Sequence, residues 1–204
     1  MAKFAGSTVL DGGSDLIRTL AGTASRVKMH LIKAYTAGDA YATVVTTNGL
    51  GSIDMVAADF VQSTATSNRV TTVAAKTITL TASSSQYDQG TATSGAASTL
   101  TDTSKVWTVN AWATRAVRIT SGTGSGQARV IASNTATVLT VGVAWTTNPD
   151  ATSTYKIVDD LHVAIVDSTS LVVLFVTDET SDQVVTAGNT FSVPAGTYTV
   201  NQPT

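Results

Sequence analysis

The chain has 204 residues, of which 43% are apolar and 13% charged, with a formal net charge of −2; this excludes the low-hydrophobicity, high-charge regime of disordered proteins and allows one or two packed domains. There is no basic excess for a phosphate backbone, so nucleic acid is not an expected partner. The absence of Cys excludes disulfides and thiolate metal sites, and thirty-eight Thr and twenty-five Val against one Glu (Glu179) and two His point to sheet and away from catalysis.

Residues 1–24 read as an N-terminal arm or short helix. Met1 to Leu10 holds one Lys and no apolar run of signal-peptide length, and nowhere do about 18 apolar residues run together, so neither a secretory leader nor a membrane span is expected. Asp15 to Ala21 allows one or two helical turns with Ser14 or Asp15 near the N-cap, because Leu16, Ile17 and Leu20 fall on one face. Gly6, Gly12, Gly13 and Gly22 interrupt the segment, yet Phe4, Val9, Leu10, Leu16, Ile17 and Leu20 supply apolar anchors that an idle tail would not need. These six are the candidate assembly interface.

From Val27 the period is that of strands. Val27, Met29 and Leu31 alternate with Lys28, His30 and Ile32, which predicts a strand with one buried face. Tyr41–Thr46, Ser52–Val56, Arg69–Val73 and Thr77–Thr81 follow, with turn signals at Asn48-Gly49, Gly51 and Asn68 between them. From Ala82 to Thr103 the composition shifts to Ser, Thr, Ala and Gly, which reads as a linker or long surface loop. Ala116–Thr120, Ala128–Ser133, Val138–Val143 and Thr154–Val158 then form a second β unit containing Trp107, Trp112 and Trp145. The three indoles are candidate surface or core aromatics of that module: core or interface anchors on one reading, sugar-stacking faces on the other. Past Asp159-Asp160 the first pattern resumes, with Leu161–Val166 and Leu171–Thr177 joined by a four-residue hairpin loop, then Thr190–Val193 and Thr197–Val200.

Short strands with frequent turns predict an all-β protein, a sandwich or barrel-like domain with a second small β domain inserted in a loop. The expected boundaries are 25–95 plus 160–204 for the main domain and 96–159 for the Trp-containing module; insertion is favoured at exposed loop tips.

Little chemistry is on offer. Gly122-Thr-Gly-Ser-Gly126 has the look of a phosphate loop, but the residues after it read as a strand, not as the helix whose amides would face an anion, so a hairpin turn is expected. Asp178, Glu179 and Asp182 offer oxygen ligands without the spacing of a dedicated Ca²⁺ loop, and a solvated turn accounts for them. His30 and His162 sit in strand patterns with no activated nucleophile indicated. No catalytic, cofactor-binding or metal residues are therefore expected, and the chain reads as a non-enzyme.

Gly38-Asp-Ala-Tyr-Ala-Thr-Val-Val45, Ala58-Asp-Phe60, Thr79-Leu-Thr-Ala-Ser83, Leu161-His-Val-Ala-Ile-Val-Asp167, Val176-Thr-Asp-Glu-Thr-Ser-Asp-Gln183 and Thr197-Tyr-Thr-Val-Asn-Gln-Pro-Thr204 together resemble small virion structural proteins of tailed bacteriophages. In the members most resembled, the first and last parts run together without the Trp-rich middle. That middle, with Ser121 to Ser133 and Trp145 to Tyr155, is similar to a β module that recurs in phage structural and tail proteins. The resemblance implies a capsid decoration or cement protein on the outer surface of the virion. It also implies the major capsid protein and further copies of itself, a trimer favoured, as partners, with no membrane. A tail, adaptor or head-fibre component with a glycan-binding β module is the alternative.

Overall fold

The computed structural model describes residues 3–5, 15–62 and 68–201. It is an all-β protein of seventeen described strands with a single α-helical segment of note, α1 (Leu16–Ala21). No helix among the described residues is long and apolar enough to cross a membrane. The chain divides into two compact units, the first made of Met1–Ser83, His162–Asp178 and Thr186–Thr204, the second of Ser84–Leu161 and Glu179–Val185.

The first unit is built on a five-stranded antiparallel sheet in the order β1 (Lys3–Ala5), β15 (Val172–Asp178), β14 (His162–Asp167), β2 (Val27–Ile32), β3 (Gly49–Met55). The expected one-sided strand at Val27–Ile32 is corrected here. β2 lies in the interior of the sheet, and Met29, His30, Leu31 and Ile32 are all buried, so both of its faces are covered. Period-2 alternation was misleading because His30 is a polar residue held in the core.

Tyr41–Thr46, expected as a strand, is helical, with a π-helical turn at Thr43–Thr47. Val44 donates its amide to Ala40 O at 3.1 Å, Asn48 to Thr43 O at 2.9 Å, and Asn48 Nδ2 reaches Ala34 O at 3.0 Å. Val44 is buried against Ile32, Ala164, Val166, Val173 and Val176, with Tyr41 and Val45 packed beside it. Spacing of i, i+3, i+4 puts these three side chains on one helical face, and that burial overrides the β preference of Thr-Val-Val-Thr-Thr.

A bent two-stranded ribbon completes the unit. β5 (Asn68–Val73) and β6 (Lys76–Thr79) pair with β17 (Gly196–Asn201) and β16 (Thr190–Val193) in one unbroken register, from Asn68↔Asn201 to Thr79↔Thr190. The ladder lapses only at Ala74-Ala75 opposite Pro194-Ala195, because Pro194 has no amide to donate. Beyond that break the halves diverge. β5 also takes β4 (Phe60–Gln62) as a neighbour, while Leu80, just past β6, bridges to Gly51 of β3. Phe175 of β15 and Tyr198 of β17 pack with ring centroids 5.7 Å apart and planes tilted by 40°, so the ribbon lies on the main sheet as the second layer of a sandwich.

The second unit is a seven-stranded antiparallel sheet in the order β7 (Gln86–Thr91), β13 (Thr154–Val158), β10 (Ala116–Ser121), β11 (Ala128–Asn134), β12 (Val138–Val141), β9 (Thr99–Thr101), β8 (Ser94–Ala96). Its two terminal strands, β7 and β8, are joined by only Ala92 and Thr93, and Thr91 and Ser94 therefore lie at most about 11 Å apart. A sheet whose opposite ends are that close is rolled into a barrel. Its interior holds Leu100, Val117, Ile119, Ile131, Leu139, Val141, Tyr155 and Ile157 together with Trp107 and Trp145. The linker expected over Ala82–Thr103 is corrected: it contains three strands, with Thr91, Thr93 and Ser94 at exposed positions and Gly90 and Gly95 where a Cβ would strike Asp102 and Pro149.

Candidate functional site

The barrel seam concentrates the polar chemistry of the second unit. Residues 102–107 run along β7 and clasp it: Thr103 N donates to Thr93 Oγ1 at 3.1 Å, Lys105 Nζ to Gln89 O at 2.7 Å, and Trp107 Nε1 to Asp88 Oδ2 at 2.7 Å. Lys105 also pairs with Asp88 Oδ1 at 2.7 Å. Burial pushes the Asp88 carboxyl up, but Lys105 and the Trp107 indole outweigh it and hold it below the usual carboxylate range. Tyr155 inside the barrel donates its hydroxyl to Asp102 Oδ2 at 2.7 Å, and Asp102 Oδ1 accepts from the amide and hydroxyl of Ser104. Burial, then the neighbouring carboxylate, push the Tyr155 phenol far up, so it stays a neutral donor. Gly90 faces this pair across the ladder. A Cβ there would stand 2.5 Å from Asp102 Oδ2 and 2.8 Å from Tyr155 Oη.

Asp159 is the hub at one end of β13. Its carboxylate, 1% exposed, accepts from Ser85 N at 2.7 Å, Tyr87 Oη at 2.7 Å and Arg115 Nη1 at 2.8 Å. Arg115 also lies over the Tyr87 ring, 4.3 Å from its centroid, and Tyr87 packs against Trp112. In the first unit Arg26 grips Asp167 through Nε and Nη2, the shorter contact being 2.8 Å, while Thr169 N and Ser170 N donate to Asp167 Oδ1. Burial raises the Asp167 carboxyl, but the guanidinium and the two amides prevail and bring it to about 2. Asp59 accepts from Lys76 Nζ at 2.7 Å and from Val56 N at 2.8 Å.

The histidines differ in setting. His30 is buried, opposite Ser52 and Ala164 on the neighbouring strands, and desolvation, with Lys28 adding to it, brings its imidazole down to about 4. It is therefore neutral at pH 7. His162 is half-buried with its ring 6.0 Å from that of Tyr35.

The glycine run at 122–126 is a turn between β10 and β11, with Gly122, Gly124 and Gly126 all at positive φ, and a strand follows it. Of the carboxylates weighed for Ca²⁺, Asp182 Oδ1 accepts from Leu161 N at 2.8 Å and Glu179 Oε1 from Ser181 N at 3.0 Å. Asp178 ends β15. Trp107 and Trp145 are 8% and 5% exposed within the barrel core, so their ring faces are taken up by packing, while Trp112 is half-buried against that core. Of the candidate assembly residues, Phe4 lies in β1 opposite Val176, Leu16 is half-buried, and Ile17 and Leu20 are buried within the first unit, where α1 packs against β2 and the turn at Ala57–Asp59. Val9 and Leu10 lie outside the described residues.

Sequence reasoning missed Asp102, Asp159, Asp167, Arg26 and Arg115 as a class. A buried carboxylate at the end of a strand leaves no periodic trace; the only available signal was the apolar pair before two of them, Ile157-Val158-Asp159 and Ile165-Val166-Asp167, and Asp102, between two Thr, had none.

No protein-family model, no curated protein and no solved structure matches this chain.

Proposed function

We propose that the chain is a non-enzymatic virion structural protein, a capsid decoration or cement protein that docks on the outer surface of an assembled phage head. The observation that supports this reading is where the charges go. Each of the five buried carboxylates described, Asp59, Asp102, Asp159, Asp167 and Asp182, is bound by an amide, hydroxyl or cation of its own unit and serves to hold strands together. What faces outward is polar β surface with isolated apolar residues, among them Val61, Val106, Val109 and Val143. Surfaces of this kind work by contact, and the resemblance to phage virion proteins supplies the partner: the major capsid protein and further copies of the chain, in a trimer.

The mechanism is mass action. A protein that binds only the assembled shell stabilises it with the logarithm of free concentration over Kd, and many symmetry-related copies multiply the effect. Mixing the purified protein with undecorated heads and sedimenting them tests this. Saturable co-sedimentation at on the order of hundreds of copies per head is the expected result, a number set by shell symmetry. Absence of binding, or a handful of copies located at the tail, would overturn it.

A further inference from the structure

We propose that Asn48 is a modification site: its side-chain amide is lost by attack of the Gly49 nitrogen, at a rate set by how often the segment 34–48 opens. Asn48-Gly49 is the one Asn-Gly pair in the chain. The pair reads as a turn signal, yet neither residue takes a positive φ. Asn48, at φ −101° and ψ −8°, ends the π-helical turn, and Gly49 begins β3. Glycine is needed there for room, because a Cβ would strike the carbonyl oxygen of Val45. The fold therefore keeps, directly after an asparagine, the one residue whose nitrogen no side chain shields.

The step is a cyclisation. The Gly49 nitrogen bonds to Asn48 Cγ, the Cγ–Nδ2 bond breaks, and Nδ2 leaves as ammonia with the proton that the Gly49 amide gives up. Water then opens the imide at one carbonyl or the other, leaving an aspartate or an isoaspartate in place of Asn48. The folded chain restrains this step in two ways. With ψ at −8° the Gly49 nitrogen nearly eclipses Asn48's own, which puts it roughly a third of a turn from Cβ, too far round for the ring to close. Nδ2 is also engaged with Ala34 O at 3.0 Å, while Asn48 O accepts from Lys33 N at 2.9 Å and Asn48 N donates to Thr43 O at 2.9 Å. Freeing Asn48 requires the segment to lift, which uncovers Val44 with Tyr41 and Val45 beside it; such local opening needs less free energy than global unfolding. The change is not reversed on closing. A carboxylate oxygen then faces Ala34 O where a donor stood, and isoaspartate adds a methylene to the backbone where β3 begins, so each modified molecule keeps the segment loosened. The inference is independent of the capsid reading, since it needs only water and time.

Full-length protein incubated at mildly alkaline pH, in buffer and in guanidinium chloride, tests this. The peptide holding Asn48 is followed by mass for the replacement of its amide by a carboxylate. The expected result is conversion in guanidinium and a rate in buffer lower by roughly a hundredfold or more. Val44→Ala removes packing from beneath the segment and should raise the rate in buffer by roughly tenfold while leaving the rate in guanidinium unchanged. If Val44→Ala does not fold, Tyr41→Ala serves, since that ring packs on the same cluster. Equal rates in buffer and in guanidinium would overturn the gate, as would a folded variant of this kind that converts no faster than wild type. An Asn48 peptide that stays unmodified in guanidinium would overturn the site.

Discussion

Replacing Asp167 by Asn should destabilise the first unit in a way that acid erases. The carboxylate sits at the end of β14 and joins Arg26, before β2, to the loop between β14 and β15. Its side chain is 3% exposed and that of Arg26 27%, so water screens the pair on one side only. A carboxyl brought from 3.8 to about 2 corresponds to about 2 kcal/mol of stability at neutral pH. Asn adds a cost because its amide group presents a donor to the guanidinium, and the total loss should be about 3 kcal/mol. The folded-state value lies below the unfolded one, so the contribution is fully present above pH 3.8 and disappears as pH falls through 2. All three tryptophans belong to the second unit, so their fluorescence does not report this change. Urea titrations followed by hydrogen exchange of peptides spanning 162–178, repeated from pH 7 down to pH 2.5, would measure it. If the gap between wild type and Asp167→Asn stays constant over that range, the carboxylate does not act as a charge and the reasoning fails.

His30 titrates in a different window: its folded value of about 4 lies below the ordinary 6.5, so the unfolded chain binds the extra proton and stability should fall by about 3 kcal/mol between pH 6.5 and pH 4, a slope that His30→Leu should flatten in the same exchange experiment. Gly90→Ala should cost about 1–3 kcal/mol, because the new methyl has nowhere to go between the Asp102 and Tyr155 oxygens; tryptophan fluorescence in urea should show the midpoint fall. Tyr155→Phe strips a buried carboxylate of one donor and should lower the same midpoint by about 1–3 kcal/mol. Asp159→Ala frees Arg115, Tyr87 and the Ser85 amide at once and should exceed both, at about 3–5 kcal/mol, with loss of exchange protection at residues 85–87 as the local signature.

Most strands were legible because their cores alternate cleanly: Thr154–Val158 and Thr190–Val193 form over the residues the pattern marked. The errors share a cause. Tyr41–Thr46 was read as one more run of strand period and Ala82–Thr103 from its composition, and in both the deciding interaction is with residues far along the chain: Val44 against Val173 and Val176, and β7 against β13. Local propensity carries no record of such partners. The apolar helix face of Leu16, Ile17 and Leu20 was visible, but its use was not: a buried stripe and an adhesive stripe have the same spacing, and Ile17 and Leu20 turn inward. The carboxylate hubs were invisible for the related reason that one Asp has no period.

The partners of β13 and β15 also set the order in which the molecule can be made. Every strand of the barrel lies between Gln86 and Val158, so its sheet has all its members as soon as that stretch has left the ribosome. The sandwich cannot follow the same schedule: β1 waits for β15, β2 for β14, and β5 for β17, pairings separated by more than a hundred residues. Synthesis therefore delivers a complete set of barrel strands before a half-built sandwich whose β2 has only β3, and whose β5 has only β4, as a neighbour. During that interval the nascent chain is most exposed to chaperones and to aggregation, and the delay lasts until β17 emerges.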